Sequence, residues 1–253
     1  MRLLPADIHV LADALRDAAA DIVEAYEADA PTIAGEVAPD LLAEAAGQLI
    51  DVFKCIDADQ SAETESDGDV RSATPDDVTQ LGDYGLGLLD ELAAWAARLG
   101  LEGRRQELEV LALPLALWLA RRGGELRNLE SVVNAAAAVA NHTHEPRELE
   151  ELYAATGEVM EAAALTIRQD LERDDPGRPW RVLNLNRAIV AARTRNPWVM
   201  EEAFETLVQN LPEDAPAFFR EGLGRMESPN QPPQVREVME RYYRKWCLQH
   251  TLH

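Results

Sequence analysis

With 253 residues and 47% apolar content, the chain has room for one large or two small folded domains, each with its own core, and is not a disordered polymer. Its 46 acidic against 24 basic side chains give a formal charge of -22, a field that repels nucleic-acid backbones and anionic membrane surfaces and so excludes both as partners. Two cysteines far apart in sequence, Cys55 and Cys247, form neither a disulfide framework nor a metal-ligand spacing, and a reducing cytoplasm is the expected compartment.

Apolar residues recur at helical spacing almost throughout, and no segment alternates as a strand does. The expected fold class is therefore all-α: an antiparallel helical bundle followed by short stacked hairpins. The opening stretch MRLLPADIHVLADAL turns acidic at once, unlike a signal peptide, and starts a helix over 5–28. Pro39 and Asp40 open a second helix, 39–56, on which Leu41, Ala45, Leu49, Val52 and Phe53 form a stripe; together the two make an N-terminal hairpin, residues 1–56. Residues 57–74 are acidic, almost without apolar side chains, and read as a flexible linker.

Thr74 before Pro75 and Asp76 is a helix cap, with proline at the first helical position and acid in the first turn. It opens a central bundle, residues 75–175, of helices over 75–99, 102–122, 126–142 and 146–173. Gly82, Gly85 and Gly87 follow no strand, so they mark a bend or close packing rather than a phosphate loop. Val110–Ala120, the most apolar stretch, is about half a membrane span and reads as a buried helix. His142 and His144, two apart at a helix end, have two readings: a weak metal pair, or imidazoles meeting the negative end of the helix dipole. No E-x-x-H, H-E-x-x-H or cysteine pair accompanies them, and no cofactor is expected. G-x-S-x-G and G-K-[ST] are also missing, which argues against the common nucleophile and nucleotide chemistries.

Residues 181–253 hold 10 basic and 9 acidic side chains, so the whole acid excess lies upstream of them. Helices are expected there over 180–194, 197–210, 215–226 and 234–250, with Asn196-Pro197 repeating the cap device. Met200, Ala203, Phe204, Leu207, Val208 and Leu211 make one continuous apolar face; Phe219, Gly222, Leu223 and Met226 make a second; Val235, Val238, Met239, Tyr242 and Trp246 make a third. Helices this short bury such faces only by stacking on neighbours. The adjacent Phe218 and Phe219 are then either packing residues or a docking surface.

The stretch MEEAFETLVQNLPEDAPAFFREG resembles the junction between two tetratricopeptide repeats. Phe204, Leu207 and Pro212 match the end of one repeat; Ala215, Phe218, Phe219 and Gly222 match the start of the next. Met200, Ala188 and Glu221 depart from the pattern. The resemblance implies tetratricopeptide-like hairpins over residues 180–253, with function on the first helix of each. By that matching, Asn186, Arg193 and Arg220 face a common groove, where Asn and Arg side chains grip a partner's carboxylate by charge-assisted hydrogen bonds. Otherwise the two arginines only solvate helix surfaces. The expected function is a non-enzymatic cytoplasmic interaction module, a scaffold or adaptor, for a protein or peptide that is basic or carries a free carboxylate. Two other readings remain open: an enzyme or a small-ligand or metal-binding bundle, and a structural homo-oligomer built through the last helix.

Overall fold

The computed structural model describes residues 5–29, 37–63, 73–171, 173–225 and 232–248. Among them are eleven α-helices and no strand: α1 (Ile8–Asp29), α2 (Pro39–Glu63), α3 (Pro75–Arg98), α4 (Glu102–Ala120), α5 (Glu130–His142), α6 (Pro146–Ala162), α7 (Leu165–Arg168), α8 (Pro179–Thr194), α9 (Pro197–Asn210), α10 (Ala215–Arg225) and α11 (Pro233–Tyr243). The all-α class read from the sequence is the class observed. Six helices begin on a proline, whose fixed φ suits the first turn and whose missing N–H has no partner to lose there. Thr74 caps α3 in a reciprocal box with Asp77, and the Asn196 side chain accepts from the Trp198 N–H at the start of α9. No helix among the described residues is long and apolar enough to cross a membrane.

The chain forms two compact units. The first comprises residues up to Val139 and returns for Glu161–Leu165; the second comprises Ala140–Met160 and the chain from Thr166 onward.

In the first unit, α1, α2, α3 and α4 pack around a common core. Val110–Leu119 of α4 is buried along its whole length. Gly82 lets α3 and α4 approach closely: a Cβ there would sit 1.8 Å from Leu119 Cδ1. The Phe53 and Trp118 rings lie 4.3 Å apart, tilted by 47°, and Trp118 Nε1 donates to Asp57 Oδ1 at 3.0 Å. The Arg122 guanidinium lies over the indole, 4.2 Å from the ring centroid, and also donates to Asp57.

Those contacts correct two expectations. Helix α2 does not stop at residue 56; it runs to Glu63, because Asp57 is held by Trp118 and Arg122 far along the chain. The remainder of the expected linker, residues 64–72, lies outside the described residues. The buried stripe of α2 is Leu42, Ala46, Leu49, Ile50, Phe53 and Ile56, which leaves Leu41 and Val52 exposed. Apolar residues lie on more than one face of this helix, and the Trp118 contact selects between them. A third expectation, one helix over 146–173, fails at Ala163. There the Leu126 N–H donates to the Ala162 carbonyl at 2.7 Å, and the Ala164 N–H donates to the Leu126 carbonyl at 2.8 Å. This isolated parallel bridge ends α6, and the single turn of α7 follows.

In the second unit, α8 packs on α9, α9 on α11, and α10 on α11. Met200, Ala203, Phe204, Leu207, Val208 and Leu211 are all buried, as their spacing predicts. Phe204 is the hub of an aromatic cluster with Phe218, Phe219 and Tyr242. Asn184, buried on α8, donates to the Trp180 carbonyl and accepts from Asn210 at 2.8 Å, tying α8 to the end of α9. Helix α11 gives way at Arg244 to one wider π turn, Arg244–Leu248, rather than continuing to residue 250. Met226, His250 and His253 lie outside the described residues.

Candidate functional site

The second unit contains a cleft of about 550 Å³, within the size range of ligand sites. Four elements build it. The link after α5 and the start of α6 supply His144, Pro146 and Leu149; the end of α8 supplies Ile189, Ala192, Arg193 and Arg195. Helix α10 adds Phe218, Glu221, Gly222 and Arg225, and α11 adds Met239. Leu149 and Met239 belong to the buried core, whereas two other apolar side chains of the lining keep exposed surface. Ile189 is 38% exposed, and Phe218 is half-buried, whereas its neighbour Phe219 is fully buried. The two phenylalanines thus divide the roles: Phe219 is core, and Phe218 packs edge-on to Phe204 and Phe219 while presenting a side to the cleft. Gly222 lets the Met239 thioether lie against α10, since a Cβ there would meet Met239 Cε at 2.8 Å.

Of the three groove residues expected from the sequence, Arg193 lines this cleft, while Asn186, half-buried on α8, and Arg220, exposed on α10, do not. Arg193 also donates to the carbonyl oxygens of Ala140, at 2.7 Å, and Thr143, satisfying the end of α5. Its charge is set against two neutral acceptors.

Arg195 is the residue that sequence reasoning missed. It follows the last residue of α8 with φ of 58°, a left-handed conformation. Glycine adopts that conformation freely, whereas an L side chain there is strained. Arg195 is exposed and makes no hydrogen bond or ion pair among the described residues. Arg195→Gly is therefore expected to stabilise the protein by about 1 kcal/mol, seen as a higher denaturation midpoint. A helix-ending Arg-Asn-Pro was visible in the sequence, but the sign of φ was not.

His142 and His144 are both exposed, and no cluster of three or more His, Cys, Asp or Glu able to hold a metal occurs among the described residues. Tyr153 on α6 lies under the Arg187 guanidinium of α8, 3.8 Å from its ring centroid. Burial pushes its hydroxyl up to about 12, so it is a neutral phenol at ordinary pH and pins α8 to α6. Burial likewise raises the Cys247 thiol, away from the thiolate needed for nucleophilic chemistry. The Cys247 Sγ lies 3.1 Å from the Pro216 carbonyl.

No protein-family model matches the chain, and no curated protein and no solved structure is significantly similar to it.

Proposed function

We propose that the second unit is a protein-interaction module of tetratricopeptide-like hairpins, α8 with α9 and α10 with α11, and that the protein works as a non-enzymatic adaptor in the cytoplasm. The chain segments that carry the repeat resemblance are those that bury their apolar faces on one another, with Phe204, Leu207, Ala215 and Phe219 all inside. One observation carries the reading: a cleft of about 550 Å³ on this unit in which the apolar side chains of Ile189 and Phe218 stay partly open to solvent, backed by the buried Leu149 and Met239. Apolar surface of that kind, rimmed by polar groups, suits a side chain from another protein.

A displayed random-peptide library panned against the intact purified chain tests it. Peptides should be enriched, and Ile189→Glu should weaken their binding about tenfold or more, near 1.4 kcal/mol, by setting a carboxylate on the apolar wall. Ile189 is 38% exposed, so the variant should keep the parent's circular dichroism and melting behaviour. The reading is lost when no peptide is enriched, or when the enriched peptides bind the variant as tightly as the parent.

A further inference from the structure

The cleft's charge runs opposite to that of the protein. The whole chain carries 46 acidic against 24 basic side chains, yet the cleft lining has Arg193, Arg195 and Arg225 against the single carboxylate of Glu221. Glu221 is already engaged by Arg225, at 2.5 Å. Arg193 donates to two carbonyl oxygens, and Arg195 makes no ion pair or hydrogen bond among the described residues. Two guanidinium charges of the lining are therefore not balanced by any carboxylate in it. One of them occupies a backbone position where glycine is free of strain, so local stability is given up for a cation.

From this we infer that the cleft is selective for an acidic amphipathic segment of a partner protein: a large apolar side chain flanked by two or more carboxylates. The inference rests on the reading of the cleft as the seat of a partner segment, and adds what that segment must carry. The apolar side chain packs against Ile189 and Phe218, the apolar side chains of the lining that keep exposed surface. The carboxylates meet Arg193 and Arg195 at the end of α8. Arg193 is already bonded to two backbone carbonyls and Arg195 is not, so the pair suits several anionic groups spread along a segment rather than one terminal carboxylate held by a single fork. The overall negative field slows the approach of such a partner.

Three synthetic twelve-residue peptides with one shared apolar pattern test the assignment. The first has glutamates at its polar positions and an amidated end. The second has glutamines there and an amidated end. The third has glutamines and a free terminal carboxylate. Binding of each is measured by fluorescence anisotropy on the intact chain and on Arg195→Glu and Arg195→Gly. The glutamate peptide should bind about tenfold tighter than either glutamine peptide. Both Arg195 variants should lose that preference, and Arg195→Gly should do so while melting higher than the parent, which separates lost recognition from lost folding. The inference is overturned when the amidated glutamine peptide binds as well as the glutamate one, when the free-carboxylate peptide is the best of the three, or when the Arg195 variants keep the preference. It is also overturned when none of the three binds and library-selected peptides carry no acidic residues. In each of those cases peptides enriched on the intact chain and lost with Ile189→Glu leave the interaction-module reading standing.

Discussion

Phe204→Ala is expected to cost the second unit about 3–5 kcal/mol, the range for emptying a fully buried aromatic site. Phe204 has no exposed surface and touches rings from two other helices. Phe219 and Tyr242 each lie 5.2 Å from it, and Phe218 lies 5.7 Å away, all edge-on. Edge-to-face pairs of this kind add about 0.5–1.5 kcal/mol each beyond the buried area. Removing the hub also loosens Tyr242, whose hydroxyl donates to Glu205 Oε1 at 2.7 Å. Burial first, and that hydrogen bond second, hold the phenol well above its usual range. Urea denaturation of parent and variant measures the cost. Phe204→Leu, which keeps most of the volume, should lose less than half as much. A loss below about 1 kcal/mol for the alanine variant would mean that α9, α10 and α11 do not share one core.

The second large effect is expected at Asp170→Asn, about 3 kcal/mol, the lower end for breaking a buried ion pair. Arg178 donates to both oxygens of Asp170, and both side chains are more than nine-tenths buried. Arg178 Nη1 further donates to the carbonyls of Arg173 and Asp175, which fastens the connection between α7 and α8. Asp214, 4.0 Å away, is bonded to Arg181 and is a poor substitute. Asparagine tolerates the left-handed φ of 49° at this position, so the substitution removes charge without adding backbone strain. Adding Arg178→Met to Asp170→Asn should recover part of the loss, because the stranded guanidinium is then gone. A double variant less stable than the single one would place the cost elsewhere.

Much of the fold was legible because its determinants are local. The face of α9 is written in the spacing of Met200, Phe204, Leu207 and Leu211, and Thr74 and Asn196 announce their helices through side chains two or three residues from the groups they cap. The features that escaped depend on residues far apart in sequence. Nothing near Asp57 shows that Trp118 and Arg122 will carry α2 to Glu63. Nothing near Ala163 shows that Leu126 will draw the backbone out of α6. The site followed the same division. Arg193 was legible as a cation on α8, but its bonds to the Ala140 and Thr143 carbonyls were not. Arg195 escaped because its meaning lies in a backbone angle and in the company it keeps across three other elements.

The pairing of Leu126 with Ala163 limits how the molecule can be taken apart. The chain leaves the first unit at Ala140, comes back for Glu161–Leu165, and leaves again. A fragment beginning near residue 140 would carry those five residues as orphans. One ending there would strand the amide and carbonyl of the fully buried Leu126, at about 1–3 kcal/mol for each unsatisfied group. Deletion mapping with a single cut would therefore report damage in both halves and be misread as shared activity. Point substitutions in the uncut polypeptide are the sound way to assign a role to either unit.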